Sequence, residues 1–213
     1  MTRQDPAKAR PRGGLADKRR AILAGALTVF ARDGYTRASI DAISAQAGVS
    51  TRTIYNHFQD KAQLFQSVIQ ESAAKVAAAQ VAIIDRHLYK VTDLEADLIE
   101  FGRAFATPMT AEHAEHICLV RQINAEAGHI PQAAIDAWQE TGPLRVRREL
   151  AGRLRTLAGR GLLRIDDPER AALHLMMLVS TYNPSYRAAV PSEAEITEMV
   201  TTGVRAFLYG YAG

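Results

Sequence analysis

The sequence predicts an all-α chain of about nine helices, a set of short N-terminal ones followed by a longer bundle. Three observations carry this. Apolar residues recur three and four apart along most of the 213 residues, no run alternates apolar with polar, and the Gly and Pro punctuation is too widely spaced for a series of short strands. From about Ala16 a first helix places Ile22, Leu23, Ala26, Leu27 and Phe30 on one side, and Gly34 supplies its left-handed stop. Ser39 is an N-cap for a second helix of about eight residues, with Ile40, Ile43 and Ala47 on one face and Gly48 at its end. A third, equally short helix follows Ser50 over Thr51–Phe58; it buries Ile54 and Phe58, four apart, and turns Arg52, Thr53, Tyr55 and Asn56 outward. Asp60 caps a fourth, whose apolar positions Leu64, Phe65, Val68 and Ile69 run on into an alanine-rich stretch ending near Ile84.

Further helices are expected near 92–107, ended by Pro108; near 110–127, ended by Gly128; and near 131–158, where Gly142-Pro143 should bend or interrupt the rod. Two more run from about Pro168 to Arg187 and from Ser192 to Tyr209.

The formal net charge of +3 conceals an asymmetry. The first 70 residues hold eleven basic against five acidic side chains, while the remainder is acidic by three. A basic first third suits a polyanion, and the rest does not. One cysteine, Cys118, excludes an internal disulfide framework. Residues 1–14 are basic but lack the apolar core of a secretory signal, and no stretch approaches the roughly 20 apolar residues of a membrane span, so the chain is expected to be soluble and cytoplasmic with no membrane partner.

Ala47-Gly48-Val49 between two short helices has the makings of a helix-turn-helix: a small residue where helices touch, Gly to reverse the chain, and an apolar plug. In such a motif the second helix enters the major groove of duplex DNA. Ser39, Ala47-Gly48-Val49-Ser50, Ile54-Tyr55-Asn56-His57-Phe58, Lys61 and Leu64-Phe65 occur in that order, and on these residues the stretch 18–71 closely resembles the DNA-binding domain of TetR-family transcriptional regulators. The resemblance implies a helix-turn-helix domain over 16–62, a flexible basic arm over 1–15, and a ligand-binding and dimerisation bundle over 63–213.

The chemistry of each position stands without the family. Amide groups at the helix starts capped by Ser39 and Ser50 can face phosphates, with the serine hydroxyls as further donors. Tyr55, His57 and Lys61 offer a phenol, an imidazole and an ammonium to the same backbone. Base reading falls to Thr51, Arg52, Thr53 and Asn56, with Arg52 the preferred reader because a guanidinium grips guanine O6 and N7 together. The arm's Lys8, Arg10 and Arg12 are either a solvated tail or an entry into the minor groove.

One helix-turn-helix reads too few base pairs for specific binding, so a homodimer on a pseudo-palindromic operator is expected. The last two helices carry more apolar positions than one core-facing stripe needs, including Leu173, Leu175, Met176, Leu178, Val179, Ile196, Met199, Val200, Val204, Phe207 and Leu208, which suits a dimer interface. TetR-like proteins pair there and bind a small effector in the bundle between. Helical projection puts Phe101, Phe105, Met109, Trp138, His174, Met177, Thr181 and Tyr182 among inward candidates for a largely apolar pocket, although each singly is as well an ordinary core residue. Glu112 and His116 stand at a spacing that could share a metal, with His129 the one further ligand in sight; a solvated face is the simpler reading, and neither metal nor cofactor is expected. The arginines 145, 147, 148, 153 and 155 have acidic neighbours and read as a salt-bridged face. The expected function is a ligand-responsive transcriptional repressor. The alternatives are an architectural or activating DNA-binding dimer without an effector and, remotely, an enzyme in the C-terminal bundle.

Overall fold

The computed structural model describes residues 13–107, 111–180 and 191–211, apart from the side chains of 13 and 111–113. All regular elements among them are helical: α1 (Gly13–Arg37), α2 (Ile40–Ala47), α3 (Thr51–Tyr55), α4 (Lys61–Leu88), α5 (Leu94–Ala106), α6 (Ala111–Ala125), a 3-10 turn (Ala127–His129), α7 (Gln132–Thr141), α8 (Pro143–Gly159), α9 (Pro168–Val179) and α10 (Glu193–Tyr211). The rod expected over 131–158 is two helices: Gly142 leaves helical geometry at φ −109°, ψ −99°, and Pro143 restarts the chain as the first residue of α8.

The starts follow local capping chemistry. The Ser39 Oγ accepts from Ala42 N–H at 3.1 Å, Ser50 Oγ from Thr53 N–H at 3.2 Å, and Asp93 Oδ1 from Ala96 N–H at 3.0 Å. Before α4, Asp60 Oδ1 accepts from Gln63 N–H at 2.8 Å, and Gln63 Oε1 reaches back past the cap to accept from Gln59 N–H at 2.6 Å. The bonds from Ala42, Ala96 and Gln63 each satisfy a first-turn donor that its helix leaves unpaired.

Two compact units result. One comprises the residues up to Ile69 together with Ile117–Ile135; the other comprises Gln70–His116 and Asp136–Gly213. The division falls inside α4 and inside α6, so each of these helices contributes to both units. In the first unit, Ile22, Ala26, Phe30, Ile43, Ile54, Leu64 and Phe65 are buried, with the Phe30 and Phe65 rings edge to face at 4.9 Å. Two fully buried phenylalanines contribute roughly 1.5–3 kcal/mol each through removal from water. Gly25 lets α2 approach α1: a Cβ there would lie 2.8 Å from the Ala47 backbone nitrogen.

In the second unit, α5, α8, α9 and α10 share one apolar core that includes Leu98, Phe101, Leu150, Leu154, Leu175, Val200 and Phe207. Ion pairs Arg103–Glu193 (3.1 Å) and Arg205–Glu95 (2.8 Å) tie α5 to α10 at its surface. The expected α8 arginine face is indeed salt-bridged in part, through Arg147–Glu169, Arg148–Glu140 and Arg153–Asp85.

Candidate DNA-reading surface and effector bundle

Gly48 ends α2 in the left-handed region (φ 65°, ψ 32°), its N–H closing on Ala45 O at 3.3 Å. That turn reverses the chain into α3 after only two more residues. The α-helix proper stops at Tyr55, short of the expected Phe58, because Ile54 O accepts from both His57 and Phe58 N–H at 2.9 Å and closes a tighter final turn. Ile54 and Phe58 are buried as their spacing demands.

The expected DNA-contact residues fall into two groups. Arg52, Tyr55 and Asn56 are exposed, Tyr55 by 56%, and their side chains have no partner among the described residues. Ser39 is exposed as well, with its Oγ engaged as the cap, and Thr51 is half-buried at the helix start. The second group is already engaged within the chain. Ser50 Oγ and Thr53 Oγ1 bond each other at 2.9 Å, and the half-buried His57 ring lies 6.4 Å from that of Phe58. Lys61 Nζ donates to Thr36 O at 3.3 Å and Ala38 O at 3.2 Å and lies 4.8 Å from the Tyr35 ring centre. Burial, with the Asp60 charge beside it, holds the Tyr35 phenol above its ordinary value.

In the bundle, Phe101 is fully buried and its ring lies 5.3 Å from that of the half-buried Phe105. Trp138 is half-buried, and its Nε1 is the buried side-chain polar atom among the described residues that has no hydrogen-bond partner. Met109, Thr181 and Tyr182 lie outside the described residues. Two inward expectations are corrected: Met177 is 63% exposed, and His174 is exposed with Nδ1 at 2.7 Å from Tyr211 Oη. The reason is the phase of α9, which buries Ala171, Ala172, Leu175 and Val179 and so turns Met177, two residues beyond Leu175, to the opposite side.

The same phase refines the apolar excess of the last two helices. Leu175, Val179, Ile196, Val200, Val204 and Phe207 belong to the chain's own core, while Leu173, Met177 and Leu178 on α9 and Met199 and Tyr209 on α10 remain exposed. His116 Nδ1 is 2.9 Å from Ser72 Oγ, and among the described residues no three His, Cys, Asp or Glu stand close enough to hold a metal ion. None of the described helices is long and apolar enough to cross a membrane.

Comparison with known proteins agrees at both ends of the chain. Residues 22–68 match the bacterial regulatory proteins of the tetR family, and residues 96–213, more than half of the chain, match the AefR-like transcriptional repressor C-terminal domain. Among curated proteins, the chain is 39% identical over 64 residues to the HTH-type transcriptional repressor Rv1474c of Mycobacterium tuberculosis, covering 30% of this chain and 34% of that protein. It is 40% identical over 60 residues to the repressor BepR of Brucella suis, covering 28% and 29%. The chain thus spans about a third of the length of the curated relatives it matches. Solved structures align over nearly the whole chain. A TetR-family transcriptional regulator from Mesorhizobium loti is 29% identical, covering 94% of this chain and 99% of that one, with a TM-score of 0.78. The flavonoid-responsive regulator FrrA is 28% identical, covering 92% and 98%, with a TM-score of 0.61. With a helix-turn-helix at one end and a matching regulator domain over the rest, the chain belongs to the TetR family of transcriptional regulators, DNA-binding proteins and not enzymes.

Proposed function

We propose that the protein is a ligand-responsive repressor that binds a palindromic double-stranded DNA operator as a homodimer and is released by a small, largely apolar effector. The observation that carries the DNA half of this reading is the exposed trio Arg52, Tyr55 and Asn56, on and just after the short helix behind the Gly48 turn, whose side chains have no partner among the described residues. A guanidinium that no described residue engages can grip a guanine edge. Ser39, Ser50, Thr51, Thr53 and His57 complete the proposed contact set with their helix-start amides and hydroxyl or imidazole groups. Lys61 is proposed to serve this set by holding the Thr36 and Ala38 carbonyls rather than through a phosphate contact of its own.

The proposed division of labour gives residues 1–15 to a basic arm, 16–62 to DNA reading and 63–213 to effector binding and dimerisation. Exposed Leu173, Met177, Leu178 and Met199 support pairing through the last two helices, because a stripe of this kind on α9 and α10 is costly to leave in water. Phe101, Phe105 and Trp138, with Met109, Thr181 and Tyr182, are the proposed effector neighbours. A buried indole N–H without a partner supports an effector that carries a hydrogen-bond acceptor on an apolar body. The likeness to a flavonoid-responsive regulator agrees with that chemistry.

Selection of bound DNA from a random pool with the full chain, followed by a small-molecule screen for release, tests the whole reading. The expected result is an enriched palindrome and at least one apolar compound that lowers its affinity. Enrichment of unpaired half-sites or of no sequence overturns the operator. A compound that saturates the bundle without changing operator affinity overturns the effector role.

A further inference from the structure

The last turn of α1, beyond the break at Gly34, is held at one residue from two sides. Thr36 donates its backbone N–H to Glu126 Oε2 at 2.8 Å and its hydroxyl to the same oxygen at 3.2 Å. The Thr36 carbonyl, in turn, accepts from Lys61 Nζ, which also takes Ala38 O. Glu126 is 90 residues away in sequence, immediately after α6, in the stretch Ile117–Ile135 that forms one compact unit with the helix-turn-helix.

The chain is built to receive this carboxylate. Helical geometry breaks at Gly34 (φ 79°, ψ 176°), so the Thr36 N–H that follows needs an acceptor from elsewhere, and Glu126 supplies a charged one. Gly34 accommodates both the break and the incoming carboxylate. Its positive φ is costly for any other residue, and a Cβ at that position would overlap the Glu126 carboxylate. Three residues after Thr36 comes Ser39, the cap of α2, so whatever fixes Thr36 fixes the direction in which α2 and the recognition helix leave α1. α6 itself begins at Ala111, in the other unit, so Glu126 sits at the end of a helix that both units share.

We propose that Glu126 is a positioning residue for operator recognition: by holding Thr36 it fixes the orientation of α2 and α3, and with it the half-site spacing that the dimer accepts. This rests on the palindromic-operator reading above. Fixing orientation is a different property from adding affinity, because a loosened reading helix still meets its half-site but loses its preference for one separation.

The test uses the full-length native protein and the palindrome it enriches from a random pool, together with versions of that palindrome in which one base pair is inserted or removed at the centre. The native protein is expected to bind the altered spacings at least about tenfold more weakly. Glu126→Ala should lose about tenfold on the enriched spacing and narrow the preference to about threefold or less. Thr36→Val, which keeps the N–H and removes the hydroxyl, should narrow it partly and serves if Glu126→Ala does not fold; Thr36→Ser should retain the native preference. A uniform loss on every spacing, with the native preference intact in both Glu126→Ala and Thr36→Val, marks Glu126 as merely stabilising and overturns the proposal. Absence of any enriched palindrome with the native protein overturns the operator reading, and the proposal with it, before any variant is made.

Discussion

Arg52 and Lys61 are both cations beside the recognition helix, yet their surroundings assign them different work. Arg52 is exposed with no partner among the described residues, whereas Lys61 has two protein carbonyls and an aromatic ring around its ammonium. Arg52→Ala is therefore expected to relax discrimination at one base pair by about 1–3 kcal/mol while affecting random DNA much less. Binding to a panel of single-base operator variants checks it, and equal losses on operator and random sequence would sink the assignment. The sequence alone places the Lys61 ammonium against the DNA backbone. Its observed bonds instead lead us to expect that Lys61→Met lowers the thermal stability of the first unit by about 1–3 kcal/mol and leaves the slope of log affinity against log salt near the native value. A slope reduced by about one would restore the phosphate contact.

At the scale of elements, two glycines of the helix-turn-helix are required for unlike reasons, and substitution separates them. A Cβ at Gly25 would press on the Ala47 backbone, while one at Gly48 meets nothing within 4 Å and is disfavoured only by the left-handed backbone. Gly25→Ala is expected to cost about 1–3 kcal/mol by overpacking. Gly48→Asn should cost less than Gly48→Ala, since Asn tolerates that backbone region; thermal denaturation of the three variants decides. The start of α10 carries a pH dependence of known sign. Backbone and hydroxyl hydrogen bonds from Ser192 hold the Glu195 carboxylate below its ordinary range. Because the folded value is depressed, the cap's contribution is complete above the unfolded value and is lost as pH falls through the lowered one. Amide-exchange protection in the first turn of α10 should fall on acidification, and Glu195→Gln should remove that pH step.

For the whole molecule, the exposed side chains of α9 and α10 give the dimer proposal its test. Leu173→Glu combined with Met177→Glu places two charges on the exposed stripe, four residues apart, and leaves Leu175 and Val179 in the core. Sedimentation should show a monomer, and operator affinity should fall by about a hundredfold or more, because one half-site buries too little surface for specific binding. A variant that remains a dimer moves the interface elsewhere.

The helices, the caps and the helix-turn-helix were legible in the sequence because their causes act within a turn of chain. Ser39, Ser50 and Asp60 bond backbone three residues on, Gly48 reverses the chain on its own φ, and Ile54 and Phe58 bury together because they are four apart. Helical spacing also indicated that α9 and α10 are richly apolar, but spacing alone does not say which of several apolar sides meets a neighbour. Packing against α5 and α8 made that choice, and it turned His174 and Met177 outward. The partners of Lys61, up to 25 residues away, and of Glu126, 90 residues away, had no periodic signal at all. Residue spacing and local caps define the helices and the DNA-reading motif, while the packed fold fixes which charges are left uncommitted among the described residues. Hydrogen bonds within a turn are set by local order, whereas long-range ones depend on which surfaces the core brings together.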